Sequence, residues 1–337
     1  MHICKTKRSG IYSLLMQKIE ITHKTIIFTI LFLLSLKFLW IVKDLIFSLF
    51  IAFIILSALK PAVTFLEKKS VPRGIAAFFV YIIFLGFFVE VLTIAVPPLL
   101  MESARLIRSF PGIFQSTFPN LSLFINTEAV SSYIPNITGR FIDVIKSIFS
   151  NAVFTISTIF FGFYFLAEED LVKKYIGRFF ELNQIRRIVT VFESAEKRMN
   201  AWFWGELVLM TIVGLMTFLG LNLIGMKYVL PLAVLAGLLE VVPNLGPVLS
   251  AVPAVIIGFS SSYLLGASAL ALYFIVQQLE NNFIVPLVMK KTVGLNPIIT
   301  LMALIIGGKV GGILGVLLAI PTTLFIETIF IEVAKNR

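Results

Sequence analysis

The chain has 337 residues, of which 58% are hydrophobic and 14% charged, with a mean hydropathy of +1.00. A single soluble core of this size cannot hide that much apolar surface, so the sequence asks for a lipid bilayer as its solvent. The net charge of +10 would suit nucleic acid, but Lys and Arg sit mainly in short segments flanking apolar runs, where they orient a membrane protein, and nucleic acid drops out as a partner.

The first 24 residues carry Lys5, Lys7, Arg8, Lys18 and Lys24 ahead of a long apolar run. No small-residue cleavage site follows and more apolar runs come after, so the expectation is an uncleaved first span. Cys4 alone excludes an intramolecular disulfide, and His2 and His23 lie too near the N-terminus to build a zinc site in the core. Neither metal nor cofactor is expected.

Thr25 to Val42 is the first candidate span, and Leu45 to Leu59 a short second one. The loop that follows carries Lys60, Lys68, Lys69 and Arg73 against Glu67, which places it and the N-terminus in the cytoplasm by the positive-inside rule. Ile75 to Val96 crosses outward. Glu90 within it costs roughly 2.5 to 3.5 kcal/mol if central, so it is expected to face other helices or water.

Pro97 and Pro98 end that helix. A mixed stretch with Pro111, Pro119 and Pro135 follows, read as a small, mostly helical external segment in which Arg105 and Arg108 are solvated charges or an anion-attracting gate. From Ile137 the residues Phe141, Val144, Ile145 and Ile148 recur at helical spacing, and the run then stays apolar to Leu166. Between Leu171 and Asn200, Ile185, Ile188, Phe192, Ala195, Met199 and Trp202 form one stripe on a charged helix. That stripe packs on a neighbouring subunit or on the chain's own membrane domain, or it lies at the lipid interface.

Leu207 to Ile224 reads as a span. Tyr228 to Phe259 is longer and is broken by "VVPNLGP", in which Pro243 and Pro247 each remove a helical donor, Gly246 permits a tight turn and Asn244 can bond freed carbonyls or a solute. Irregular backbone at membrane depth is tolerated mainly beside a cavity or in a protein interior. Glu240, one turn before Asn244, shares its face, and its charge serves either a solute path or only a neighbouring backbone group.

Leu264 to Gln278 spans or nearly spans again, and Gln277, Gln278, Glu280, Asn281 and Asn282 then form a polar cluster suited to a watery vestibule or to capping a helix end. Ile298 to Ile331 is too long for one untilted helix and is interrupted by "GGKVGGILG", so a bend or re-entrant hairpin is expected there. Its Gly308, Gly311 and Gly312 allow close helix approach, or form a re-entrant turn with Lys309 near the tip. No nucleophile elbow, phosphate loop or HExxH motif occurs, so no catalytic residue is assigned and an enzyme is not expected.

The fold class is therefore all-α: a polytopic helical membrane protein with broken or re-entrant helices. Its divisions are 1–97 for the N-terminal membrane helices, 98–147 for the extracytoplasmic segment, 148–204 for a fourth span plus cytoplasmic amphipathic helix, and 205–337 for a C-terminal membrane domain. Both termini are expected inside, while the side on which Lys290 and Lys291 lie stays open.

"GLLEVVPNLGP", "QLENNFIVPLVMKKTVGLNP" and "GGILGVLLAIP" stand in the order and spacing of the bacterial autoinducer-2 exporter family, the PerM-like permeases, which the chain resembles over most of its length and most strongly from about Ala201 onward. The resemblance implies a multi-pass inner-membrane protein of about eight hydrophobic segments and a homo-oligomer, as a pentamer. It implies export of a small polar solute such as autoinducer-2, with Na⁺/H⁺ exchange as the alternative. Asn296 stands where many relatives carry His, and Glu206 where many carry Gln, which adds a carboxylate near a membrane boundary. On this reading Glu240 and Asn244 line the path, Pro243, Gly246 and Pro247 shape it, and Glu280, Asn281 and Asn282 stand at one mouth. Glu240 is the candidate for proton coupling. A reading from another class is a non-transporting scaffold whose stripe from Ile185 to Trp202 recruits a partner.

Overall fold

A computed structural model describes residues 23–87, 89–90, 112, 152–168, 174, 180–243, 245–289 and 296–335. The described residues contain helices and no strands, as the apolar segments require, because a helix satisfies its own backbone groups where no water can. The external segment apart from Gly112, and with it Arg105 and Arg108, lies outside the described residues, as do Asn244, Lys290 and Lys291.

The chain divides into two units, residues 1–47 and 48–337. In the first, α1 runs from His23 to Ile41 with no buried residue. Phe28 stacks on Phe32 at 6.3 Å, and the Lys43 ammonium lies 4.3 Å from the centre of the Trp40 ring. A helix apolar all round, with nothing of its own unit to cover it, suits surrounding lipid.

Helix α2, Lys43–Glu67, crosses the division and continues eight residues beyond the expected end at Leu59, carrying Pro61 within it. The polar residues that end the apolar run do not end the helix, since Lys60 finds Glu196 at 2.7 Å. Helix α3, Arg73–Phe87, and α4, Ala152–Ala167, pack on α2 through Val63, Ala76, Ala77, Tyr81 and Leu166. The Tyr81 hydroxyl donates to the Ile159 carbonyl at 2.9 Å. Gly162 lies under that ring, where a Cβ would come within 2.7 Å of the oxygen.

Helix α5 is a single helix from Leu182 to Leu223, opened by a capping box in which Glu181 and Gln184 exchange bonds. The expected division at 204/205 falls inside it, so the amphipathic stripe and the next apolar run share one axis. Ala195, Met199 and Trp202 of the stripe are buried by the chain itself. Phe192 meets Phe53 and Phe325 edge-on, Arg198 pairs with Glu327, and Ser194 bonds Glu332 at 3.2 Å. Of the three surroundings open to the stripe, the membrane domain of the same chain covers these residues.

Helices α6, Val229–Leu239, α7, Leu245–Ser261, and α8, Tyr263–Leu279, follow. Gly225 and Tyr228, both at positive φ, turn the chain from α5 into α6. Gly214 and Gly237 then let the two backbones approach so closely that a Cβ on Gly237 would lie 2.7 Å from the Met210 carbonyl oxygen. Between α7 and α8 the Ser262 side chain accepts the Leu265 N–H, and Gly258 lies against Gly266. The faces of α5 to α8 enclose a core that includes Val213, Leu232, Ala236, Ile257, Ala269 and Val276.

After α8 comes one π turn, Glu280–Ile284, closed by the Val285 N–H on the Glu280 carbonyl, then the short α9, Val285–Met289. Helix α10, Pro297–Lys335, starts on the Asn296 side chain, which accepts the Ile298 N–H at 2.9 Å. At Gly312 its dihedrals leave the helical region, with φ 58° and ψ −135°. Gly307 and Gly315 are in contact, and a Cβ on Gly307 would fall 2.3 Å from the Gly315 carbonyl oxygen. In a straight helix residues eight apart are separated by about 12 Å, so α10 folds back on itself as a hairpin turned at Gly312. The expected bend is present, with Gly308 and Gly311 on its arms and Lys309 exposed near its tip.

By length and composition, five described helical segments could cross a membrane: α1, α2, α5, α8 with its continuation through α9, and α10.

Candidate functional site

The proline motif makes a tight bend. Helix α6 ends at Glu240, whose N–H reaches the Ala236 carbonyl, and the Val242 N–H then bonds the Leu239 carbonyl at 3.0 Å. The Gly246 N–H returns to the Val242 carbonyl at 2.9 Å. Only glycine fits at 246, because a Cβ there would sit 2.0 Å from the Leu239 carbonyl oxygen. Pro247 is buried, Pro243 half-buried, and the Ser250 hydroxyl takes up the Pro247 carbonyl. Each proline removes a helical donor at the bend, and the glycine lets α7 start against the end of α6.

This bend places Glu240 inward, with 2% of its surface exposed. At Glu280 the π turn does the same, leaving it 3% exposed, and Glu206 on α5 is 5% exposed. Among the described residues these are the only buried Asp, Glu, Lys or Arg side chains. They cluster: the Glu240 and Glu280 carboxyls lie within reach of one another, and Glu206 lies within electrostatic reach of both. Two carboxyl groups can share a hydrogen bond only when one carries a proton.

Gln277, half-buried one turn before Glu280, directs its amide at the Glu280 carboxyl at 3.5 Å. No Lys or Arg among the described residues pairs with any of the three glutamates. The Glu206 Oε1 and Glu240 Oε2 atoms are buried with no hydrogen-bond partner. A buried charge without a counter-charge is strongly disfavoured, and such groups mark ion or proton paths where they occur in membranes.

The remaining sequence candidates do not converge here. Asn281 and Asn282 are exposed, and the Asn282 amide bonds the Gln278 carbonyl at 2.8 Å as a local cap. The turn of Gly311 and Gly312 with Lys309 belongs to the α10 hairpin. Glu206, in contrast, stands in the cluster although the sequence reading left it beside a membrane boundary. The signal that could have found it is helical: Trp202, Glu206, Leu209 and Val213 follow three- and four-residue steps, continuing the buried stripe.

The chain matches the profile of the family described as "AI-2E family transporter" over residues 26–335. It is similar to "Putative transport protein YueF" of Bacillus subtilis, 27% identical with 88% of this chain and 86% of that protein covered. It is likewise similar to "Putative transport protein YhhT" of Escherichia coli K12, 26% identical over 83% of this chain and 82% of the relative. To "Putative permease PerM" of the same organism it is 23% identical, covering 78% and 80%. A match over most of the chain, joined to an all-helical architecture with several apolar helices long enough to span, makes this protein a multi-pass membrane transporter of the AI-2E family.

Proposed function

We propose that the protein exports a small polar solute, of the autoinducer-2 kind, across a bacterial inner membrane, and that a proton exchanged at the Glu240–Glu280 contact couples to that movement. The observation that carries this reading is the meeting of two buried carboxyls at two backbone irregularities, the proline bend and the π turn. Each irregularity removes ordinary helical bonding, and two-sided access to a buried proton needs segments that can change their packing at low cost. The carboxyls bind and release the proton, while Pro243, Gly246 and Pro247 fix the bend that brings Glu240 to Glu280.

The working unit is a homo-oligomer, a pentamer by resemblance, and the activity is transport rather than enzymatic conversion. The test is flux through purified protein in proteoliposomes. Autoinducer-2 movement driven by an imposed pH gradient, with a matching proton counterflow, is the expected result. Sodium uptake driven by the same gradient, without solute movement, would replace the exporter reading with Na⁺/H⁺ exchange.

A further inference from the structure

The α10 hairpin has a charged base and an apolar shaft, and Lys309 interrupts the shaft close to its tip. At the base Arg198 holds Glu327 and Thr328, while Glu332 takes Ser194 and Lys335. These groups belong outside the hydrocarbon, since a single charge at its centre costs roughly 2.5 to 3.5 kcal/mol. Ile298, Ile299, Ile326 and Phe330 are exposed around the same end and ask for lipid beside them. The base therefore sits at a membrane surface, and the shaft rises from it.

Close contacts set the register of the two arms. A Cβ on Gly308 would lie 3.3 Å from the Val316 side chain, and one on Gly307 the same distance from Ala319. Followed down the arms, that register brings Pro297 level with Glu327 to within a turn. From Pro297 to Gly312 the helix rises by about 22 Å, whereas the hydrocarbon core is about 30 Å thick. Tilt only shortens that reach, so the tip stops about 8 Å or more below the far surface. Lys309, nearly a turn below Gly312, stops about 12 Å short, roughly twice the span of its four-carbon stem.

No described residue covers this tip. Lys309 and Gly312 are exposed, a Cβ on Gly312 would meet no atom within 4 Å, and no acidic group among the described residues pairs with Lys309. At Gly312 the backbone has left the helical region, which frees carbonyls of the preceding turn from their helical donors. At membrane depth such backbone is tolerated only inside protein or beside water, and an unpaired ammonium has the same need.

We propose that the hairpin tip lines a water-filled vestibule opening on the membrane face opposite Lys335, and that Lys309 supplies its positive charge, drawing anionic groups toward the tip. The vestibule stands independently of the carboxyls of Glu240 and Glu280.

The test uses full-length protein with Cys4→Ser, which leaves no native cysteine, in membrane vesicles of both orientations. Lys309→Cys probes the tip, Met302→Cys the exposed shaft and Lys335→Cys the base. The reagent is 2-sulfonatoethyl methanethiosulfonate, an anion that does not cross the bilayer. Lys309→Cys is expected to react from the face opposite the one that labels Lys335→Cys, and about tenfold faster than Met302→Cys, because a thiol held in lipid stays protonated. A size-exclusion profile matching wild type certifies each variant as folded, and Val310→Cys, also exposed, carries the same expectation with Lys309 retained. In Val310→Cys the rate ratio of this anion to the cationic 2-(trimethylammonium)ethyl methanethiosulfonate is expected to fall about threefold when Lys309→Gln is added. Reaction from the Lys335→Cys face, or at the Met302→Cys rate, overturns the vestibule. Reaction from the far face with an unchanged ratio overturns the role of the charge. Neither readout uses solute flux, so both are decided whether or not the protein moves autoinducer-2.

Discussion

Glu196 and Glu206 stand ten residues apart on helix α5 and meet opposite surroundings. Glu196 is 20% exposed and bonds Lys60 of α2 at 2.7 Å, in a region where Arg198 pairs with Glu327 and Ser194 with Glu332. Glu206 is buried, faces two other glutamates and has no cation. Both positions hold α5 against neighbouring helices. The first does so with charges that satisfy one another beside solvent; the second keeps like groups together in an apolar interior, where packing alone would favour leucine. One helix thus joins a region whose polar groups pair with opposite charges to a region whose buried carboxyls have no counter-charge among the described residues.

The comparison can be broken first at the bend that delivers Glu240. Gly246→Val puts side-chain atoms into the Leu239 carbonyl, and the expected cost is about 3 kcal/mol or more, read as loss of monodisperse protein on size exclusion. Glu240→Gln should instead leave thermal stability in detergent unchanged or raised, because it removes an ionisable group from a buried site without a counter-charge among the described residues. Its solute flux should fall at least about tenfold, equivalent to about 1.4 kcal/mol of barrier, and the residual flux should lose its pH dependence. Glu240→Gln at full flux with the wild-type pH profile would refute the coupling role.

Glu206→Gln should have a smaller effect, about a threefold change in flux with the pH profile displaced and not flattened, since Glu206 acts on the pair through space. Smallest of all is Lys60→Met. With 30% and 20% of the two side chains exposed, the pair contributes within about 1 kcal/mol, measured as a shift in thermal midpoint, and the pH profile of transport should not move. A change of pH profile in Lys60→Met would show that the paired region also belongs to the transport machinery.

Much of this was legible in local sequence. The double proline with its glycine announced a break because proline lacks a donor wherever it stands, and Gly312 announced a turn because a positive φ suits glycine. Glu240 and Glu280 were named from their position beside apolar runs. The continuity of α5 was less visible, since the charged stretch before Asn200 reads as a separate helix until Lys60, Glu327 and Glu332 supply partners from distant segments.

By itself, then, the sequence determined the solvent, the helical class, the places where helices break and the family's motifs, all properties of the chain within a few turns. Only the tertiary structure decided that Glu240 and Glu280 come together and that Glu206 lies beside them. Those facts depend on the register between helices far apart in the chain, which is set by how closely glycine faces such as Gly214 on Gly237 and Gly220 under Leu272 let them approach.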